Sequence, residues 1–182
     1  MSKLRKVSVM MLACVTFVAL AGGDPEFVPF PEGYKNTDTH YATVNRKNGK
    51  QVGVLYANEA ALGSIKYGDE LVPGSRVTME IYKLKKDADG NPIKGSDGIY
   101  EKGDLAAIAV MEKSIDWPDN FSEDHRADEW GFAIYDPKGQ PKKNDLDCAS
   151  CHIPIGTQDE LFTHAQLKAA GLAQLKASGH GQ

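Results

Sequence analysis

Polar and apolar residues alternate over several segments of the chain, with the period of two that is typical of a β-strand. The alternation predicts five strands, near residues 40–46, 51–56, 75–85, 105–115 and 129–135. A turn sequence, Asp87 to Pro92, joins the long third and fourth strands, so we expect an antiparallel arrangement. The expected fold class is mainly β, of the α+β kind, with an antiparallel sheet body, short helices and a C-terminal helical segment.

The third and fourth predicted strands each carry an apolar face, because side chains two positions apart point to the same side of a sheet. These faces hold Val77, Met79 and Ile81 on the third strand and Leu105, Ala107, Ala109 and Met111 on the fourth. The alternate residues of the third strand are polar. The turn between the two strands also has the acidic character of a calcium loop, but Pro92 stands where such a loop needs glycine.

Two helical segments are predicted outside the strands. Asn58 is placed to cap a short helix over residues 59–62. Near the carboxyl end, Thr157 and Glu160 have the spacing of a capping box, in which each side chain bonds the other residue's backbone N–H. An apolar stripe then predicts a terminal helix that Gly171 ends or bends. The stripe consists of Leu161, Phe162, Ala165, Leu167, Leu172 and Leu175.

The segment Cys148-Ala149-Ser150-Cys151-His152 has the C-x-x-C-H spacing at which c-type haem is attached. Two thiols on one helical turn can add to the two vinyl groups of one porphyrin, and the adjacent imidazole then lies under the iron. We therefore predict one covalent haem c. Cys148 and Cys151 would form its thioethers, and His152 would be the proximal iron ligand.

Two other interpretations of the cysteine pair remain open, although both fit the sequence less well. Half of a zinc site would need further ligands, and the sequence has no second C-x-x-C or H-x3-5-H pair to supply them. A thiol redox pair of the thioredoxin type is expected beside a βαβ pattern, which this region lacks.

The first 21 residues have the organisation of a secretory signal peptide, with basic residues before an apolar run over 7–20 and small residues up to Ala21. An uncleaved anchor is the alternative, but the run is short for a membrane span. A lipid-modified Cys14 fits less well, since apolar residues continue beyond it. We expect cleavage after Ala21, an extended leader over 22–33 and a single haem-binding domain over 34–182. The expected location is periplasmic or secreted, with no stable membrane span after cleavage.

The chain has 21 Lys and Arg residues against 25 Asp and Glu, which gives a net charge of −4. Cleavage would remove Lys3, Arg5 and Lys6 and no acidic residue, so the mature chain is more acidic. This balance argues against nucleic acid as a partner and is compatible with a basic redox protein. Cleavage also removes Cys14, so no structural disulfide can form once the remaining two cysteines hold haem.

Four features occur together in this chain: the signal peptide, a late haem motif, and two characteristic segments within and before the β-rich body. These segments are Phe30-Pro31-Glu32-Gly33-Tyr34-Lys35 and Trp130-Gly131-Phe132-Ala133-Ile134-Tyr135. In combination the features resemble the cytochrome P-460 and cytochrome c′-beta family over nearly the whole mature chain. The resemblance implies a homodimer of antiparallel sheets, each with one haem. It also implies five-coordinate iron, open to a small ligand opposite His152.

One branch of that family oxidises hydroxylamine, with a lysine cross-linked to the haem and an acidic residue that assists proton removal, and the other binds nitric oxide or carbon monoxide. Aligned on Gly74 and Glu80, this sequence has Met79 in the lysine position and Ala109 near the acidic position. The two apolar faces contain no titratable group near their middle. General acid–base catalysis needs such a group within hydrogen-bond reach, so hydroxylamine chemistry is disfavoured.

The candidate haem pocket consists of Val77, Met79, Ile81, Ala107, Ala109 and Met111. Apolar walls favour uncharged diatomic ligands, because distal polarity and access decide between binding and activation. We therefore expect an exported mono-haem c-type cytochrome that binds nitric oxide or a similar small ligand. One alternative is an oxidoreductase acting on hydroxylamine or another small nitrogenous substrate. The other is an electron carrier in which Met79 or Met111 ligates the iron, although such methionines usually fill a core.

Three further residues have two interpretations each. His164 could ligate iron only if the terminal helix crossed the open side of the haem, so a packing or surface role is preferred. Trp117 and Trp130 either line the haem edge or are ordinary core aromatics, which is the commoner case.

Overall fold

The computed structural model describes residues 23–68, 70–143 and 146–179, so the predicted signal peptide lies outside the described residues. The helices are α1 (Tyr34–Thr37), α2 (Glu59–Ile65), α3 (Cys148–His152) and α4 (His164–Ala177), with 3₁₀ turns at Glu123–His125 and Ile153–Gln158. The strands are β1 (Thr39–Asn45), β2 (Gln51–Ala57), β3 (Arg76–Leu84), β4 (Lys102–Lys113), β5 (Arg126–Ala127) and β6 (Trp130–Tyr135). Of the helices described, none is both long and apolar enough to cross a bilayer.

The six strands form one antiparallel sheet in the order β1-β2-β3-β4-β6-β5. The predicted fold class is confirmed, and each of the five predicted strands is present with ends that differ by a few residues. The sequence pattern missed β5, because two residues are too short for an alternation to be seen. The turn is also confirmed, since the Asp87 carboxylate accepts from the backbone N–H groups of Asp89 and Asn91.

One side of the sheet, which we call the helix face, packs against α2, α3 and α4. Leu55, Val77 and Phe132 on this face join a buried cluster with Leu62 of α2 and Leu167 of α4. The predicted cap of α2 is confirmed, since the Asn58 side chain accepts from the Ala61 N–H. The helix face is therefore the principal hydrophobic core.

The opposite side, which we call the leader face, is covered by residues 24–38. Val28 is fully buried against it, and the Tyr135 hydroxyl donates to the Val28 carbonyl at 2.5 Å. The polar alternation of β3 is typical of a half-buried strand, but Thr78 and Glu80 on this face are 0% and 1% exposed. The polar pattern did not indicate solvent, because residues 24–38 cover this face. Tyr34 and Lys35 of that segment supply partners for Glu80, whereas the buried Thr78 hydroxyl has no hydrogen-bond partner among the described residues.

Glu80 is held at the centre of the leader face. The hydroxyls of Tyr34 and Tyr82 donate to its carboxylate at 2.8 and 2.9 Å, and Lys35 forms an ion pair with it. Burial alone would raise the pKa of Glu80, but the Lys35 and tyrosine donors together hold it below its ordinary value. The carboxylate is therefore ionised at neutral pH and ties α1 to β3.

The grouping of Leu105 with Ala107 on one face was wrong. Ile81 pairs with Ala107 while Tyr82 pairs with Leu105, so β4 has an extra residue at Ala106. Such a bulge moves the residues that follow it to the opposite face, until the pairing shifts again between Tyr82 and Leu84. Leu105 accordingly packs with the leader-face cluster.

The predicted capping box was also wrong. Residues 153–158 form a 3₁₀ turn through Thr157, and α4 begins only at His164. Asp159 and Glu160, which lie between the turn and α4, make tertiary contacts instead of capping a helix. The Asp159 carboxylate accepts from Lys113, and the Glu160 carbonyl accepts from His152. The helix α4 also continues through Gly171, whose missing side chain allows close approach to Ile65 of α2.

Candidate functional site

The attachment motif forms a separate short helix, α3, whose first turn is capped by Asp147. The Asp147 side chain accepts from the Ser150 N–H, at 2.9 Å from Oδ1. Cys148 and Cys151, three positions apart, lie on neighbouring positions of the same turn. Cys148 is half-buried, Cys151 is exposed, and both are free thiols. This arrangement can present two sulfurs to one flat ligand.

His152 is held with one ring nitrogen engaged and the other available. Its Nδ1 lies 2.5 Å from the Glu160 carbonyl oxygen. A carbonyl oxygen only accepts hydrogen bonds, so Nδ1 carries the proton and Nε2 keeps a lone pair. Burial lowers the pKa of His152, which favours this neutral form. The imidazole is therefore prepared to bind a metal through Nε2.

Two aromatic rings fix the plane of the same imidazole. The His152 ring centroid lies 4.8 Å from that of Phe132 on β6 and 5.0 Å from that of Phe162 before α4. Rings at such distances restrict rotation of the side chain. A hydrogen bond and two ring contacts thus orient one ligand.

The six predicted pocket residues lie on the helix face as three cross-strand pairs: Val77 with Met111, Met79 with Ala109, and Ile81 with Ala107. Ile81 and Ala107, together with Ile134 of β6, form a small buried cluster against which Met79, Ala109 and Cys148 pack. We call these residues (Met79, Ile81, Ala107, Ala109 and Ile134) the apolar wall.

Val77 and Met111 lie further along the two strands, in the principal core with α2 and α4. Their packing is that of core residues. Met79 approaches β2 closely, since a Cβ at Gly53 would lie 2.9 Å from its sulfur. Met79, like Cys148, packs against the small buried cluster of Ile81, Ala107 and Ile134, to which Met111 does not belong.

The chemistry of the donor set fits a haem better than it fits the two other interpretations of the cysteine pair, a thiol redox pair and a zinc site. Burial raises the pKa of the Cys148 thiol to about 11, which opposes the reactive thiolate of a redox pair. In the part of the chain that the structure describes, no group of three His, Cys, Asp or Glu side chains is arranged to hold a metal ion. Two thiols, an oriented imidazole and an adjacent apolar wall are the groups that a c-type haem requires.

Sequence reasoning missed one charged group beside the site. Arg46 follows β1, and its Nη1 donates to the Gln51 side chain at 2.7 Å. Burial lowers the pKa of Arg46, while its interaction with Cys148 acts in the opposite direction. A guanidinium has no acceptor lone pair, so Arg46 can donate a hydrogen bond but cannot remove a proton. Its nearness to Cys148 is a tertiary contact, which no local motif indicates.

The other residues with two interpretations take packing roles. His164 is 8% exposed at the start of α4. Trp130 is fully buried in the principal core and Trp117 packs with the leader-face cluster. The Trp117 Nε1 donates to the Glu129 carbonyl at 2.7 Å. Both tryptophans are thus core aromatics with satisfied indole N–H groups.

An antiparallel sheet whose apolar wall meets a C-x-x-C-H helix defines a haem-binding protein. The family model for Cytochrome P460 matches residues 31–163. The chain therefore belongs to the cytochrome P460 family, which implies a haem cofactor. Among curated proteins, no significant match is found.

Proposed function

We propose that the chain is an exported mono-haem c-type cytochrome that binds nitric oxide or a similar small uncharged ligand. The observation that carries this proposal is the Met79–Ala109 pair, an apolar contact on the helix face beside Cys148. A lysine or a carboxylate at these positions would favour hydroxylamine oxidation, and the chain has neither.

Attachment would use the two thiols of α3. Each S–H would add across one vinyl group, with the sulfur bonded to one carbon and the proton delivered to the other, so no oxidant is needed. Cys148 and Cys151 would hold the haem in this way, and His152 would bind iron through Nε2. When bound, the haem would supply an iron that can take up a small ligand.

The apolar wall would exclude water and ions from the ligand side. Met79, Ile81 and Ala107 offer no hydrogen bond strong enough to stabilise a charged ligand. The nearest carboxylate on β3, Glu80, points to the leader face and is satisfied by tyrosines and Lys35. The arrangement therefore supports ligand binding without a general base.

Electron transfer with Met79 as the sixth ligand is the second candidate function. It is favoured by the position of Met79, which packs against the same small cluster of Ile81, Ala107 and Ile134 as Cys148 does. Binding of the Met79 sulfur would close the open position and raise the reduction potential. Ligand affinity separates the two functions, since a closed site would take up nitric oxide weakly.

Export, pairing into a homodimer and docking to a redox protein belong to the same proposal. They are supported by the signal-like residues 1–21, by the family and by the excess of acidic residues. Cell fractionation of the full chain would test export: the mature protein is expected in the periplasm or medium, and recovery of the uncleaved chain in the cytoplasm would contradict it.

The attachment step is tested by expressing the full chain in a host that matures c-type cytochromes. We expect haem to stay with the polypeptide after denaturation, and Cys148→Ala and Cys151→Ala variants each to lose one thioether. Cys14→Ala is the matched control and should attach haem normally. The ligand is tested by titrating the ferrous protein with nitric oxide, which should bind stoichiometrically. A colourless product or an absence of binding would overturn the proposal.

A further inference from the structure

The loop between α3 and α4 holds an unusual backbone conformation. Asp159 and Glu160 are consecutive left-handed residues, with φ of 50° and 53°. Left-handed conformations in residues other than glycine are strained and persist only where the surrounding structure enforces them. Some contact must therefore hold this loop in place.

That contact is the Asp159 carboxylate, whose side chain is 8% exposed. It accepts from Lys113 Nζ at 2.7 Å, from Trp130 Nε1 at 3.0 Å and from the Leu71 N–H at 2.6 Å. The three donors come from the end of β4, the start of β6 and the loop before β3. Lys113 is itself 4% exposed, so the loop is anchored inside the protein.

The next residue, Glu160, supplies the carbonyl that accepts from His152 Nδ1. An acceptor on this nitrogen fixes the ring orientation of a metal-binding histidine and raises its basicity as a ligand. The strength of that effect depends on how firmly the carbonyl is held. Asp159, one residue away, is the group that holds it.

We propose that Asp159 is a positioning residue for His152: through Lys113 and Trp130 it fixes the Glu160 carbonyl and thereby strengthens the bond from His152 to the haem iron. The inference rests on the proposed ligation by His152 and not on the identity of the small ligand. It assigns a function to Lys113 and Asp159, which the sequence analysis did not select.

A matched control separates positioning from charge. Glu129 also pairs with Lys113, at 3.5 Å. It lies between β5 and β6 and not on the loop between α3 and α4. Glu129→Gln and Asp159→Asn each remove one negative charge near the same lysine. Only Asp159→Asn weakens the anchor of the loop.

The test uses resonance Raman spectra of the full chain matured with haem, in its five-coordinate ferrous state. We expect the iron–histidine stretching frequency to fall in Asp159→Asn, to fall less in Trp130→Phe, and to stay at the wild-type value in Glu129→Gln. The reduction potential should rise most in Asp159→Asn, less in Trp130→Phe, and stay at the wild-type value in Glu129→Gln. Trp130→Phe removes one hydrogen bond to Asp159, keeps an aromatic ring in the core and leaves the charges of Asp159 and Lys113 in place, so it keeps the test informative if Asp159→Asn does not fold.

Two results would overturn the inference in distinguishable ways. If Asp159→Asn or Trp130→Phe loses thermal stability while the stretching frequency and potential stay at wild-type values, Asp159 is merely structural. If the wild-type protein itself shows no iron–histidine band, the ligation proposal fails and the inference fails with it.

Discussion

At the scale of single residues, the site depends on which atoms are left free. His152 has Nδ1 bonded to a carbonyl and Nε2 available, and the raised pKa of the half-buried Cys148 thiol opposes a reactive thiolate. The motif spacing selected both residues. It could not predict Glu160 as the acceptor, because the partner lies beyond a left-handed turn whose conformation depends on Asp159 and Lys113.

Met79 gives the sharpest prediction at this scale. Met79→Leu keeps nearly the same volume and removes the sulfur, so it should leave the ferrous and ferric absorption spectra unchanged. Met111→Leu, in the principal core, is the matched control. A change from low-spin to high-spin spectra in Met79→Leu alone would show that the sulfur ligates iron and would support the electron carrier.

At the scale of elements, α2 and α4 approach closely because Gly171 has no side chain. A Cβ at this position would lie 2.8 Å from Cγ2 of Ile65 and 3.3 Å from Cγ of Lys66. Gly63, inside α2, has open space around it. The two glycines therefore separate packing from helix propensity.

We expect Gly171→Ala to destabilise the protein by about 1–2 kcal/mol, because overpacking outweighs the gain in propensity. Gly63→Ala should stabilise it by up to about 1 kcal/mol. Urea unfolding of both variants measures the difference. Equal stabilisation by the two substitutions would show that the helices can separate at no cost.

The contact between α1 and Glu80 of β3 predicts that the stability of the fold depends on pH. Because the pKa of Glu80 is lowered in the folded protein, its contribution to stability is complete above the unfolded pKa and is lost as the pH falls through the folded value. Glu80→Gln should lower the free energy of unfolding at pH 7 by on the order of 2 kcal/mol.

The difference between wild type and Glu80→Gln should begin to shrink as the pH falls below the ordinary glutamate pKa of about 4.3, since Glu80 of the unfolded chain then takes up a proton. It should be lost as the pH falls through the lowered pKa of the folded protein. Tyr67→Phe, at a side chain that is 81% exposed, is the control and should change stability little at any pH. A difference that stays constant between pH 7 and pH 3 would contradict the role of the ionised carboxylate.

The errors of prediction at the element scale have one physical origin. Alternation identified the strands, but the bulge at Ala106 placed Leu105 on the leader face, and tertiary contacts of Asp159 displaced the predicted capping box. A local pattern reports what a segment favours by itself. It contains no information about the segment that packs against it. The contact of α1 with Glu80 is an example.

At the scale of the whole molecule, the sheet separates two tasks. The leader face is closed by residues 24–38, which supply the Tyr34 and Lys35 partners of Glu80, while the helix face carries the principal core and the apolar wall beside α3. The haem family could be predicted from the sequence, because Cys148, Cys151 and His152 are adjacent in the chain. The conformation of the loop between α3 and α4 could not be predicted, because the groups that anchor Asp159 come from three distant parts of the chain.

The most direct test of the central claim is the absorption spectrum of the ferrous, haem-bearing chain before and after addition of nitric oxide. The account predicts a five-coordinate high-spin spectrum that changes on stoichiometric binding of the gas. A six-coordinate low-spin spectrum that nitric oxide leaves unchanged would contradict it.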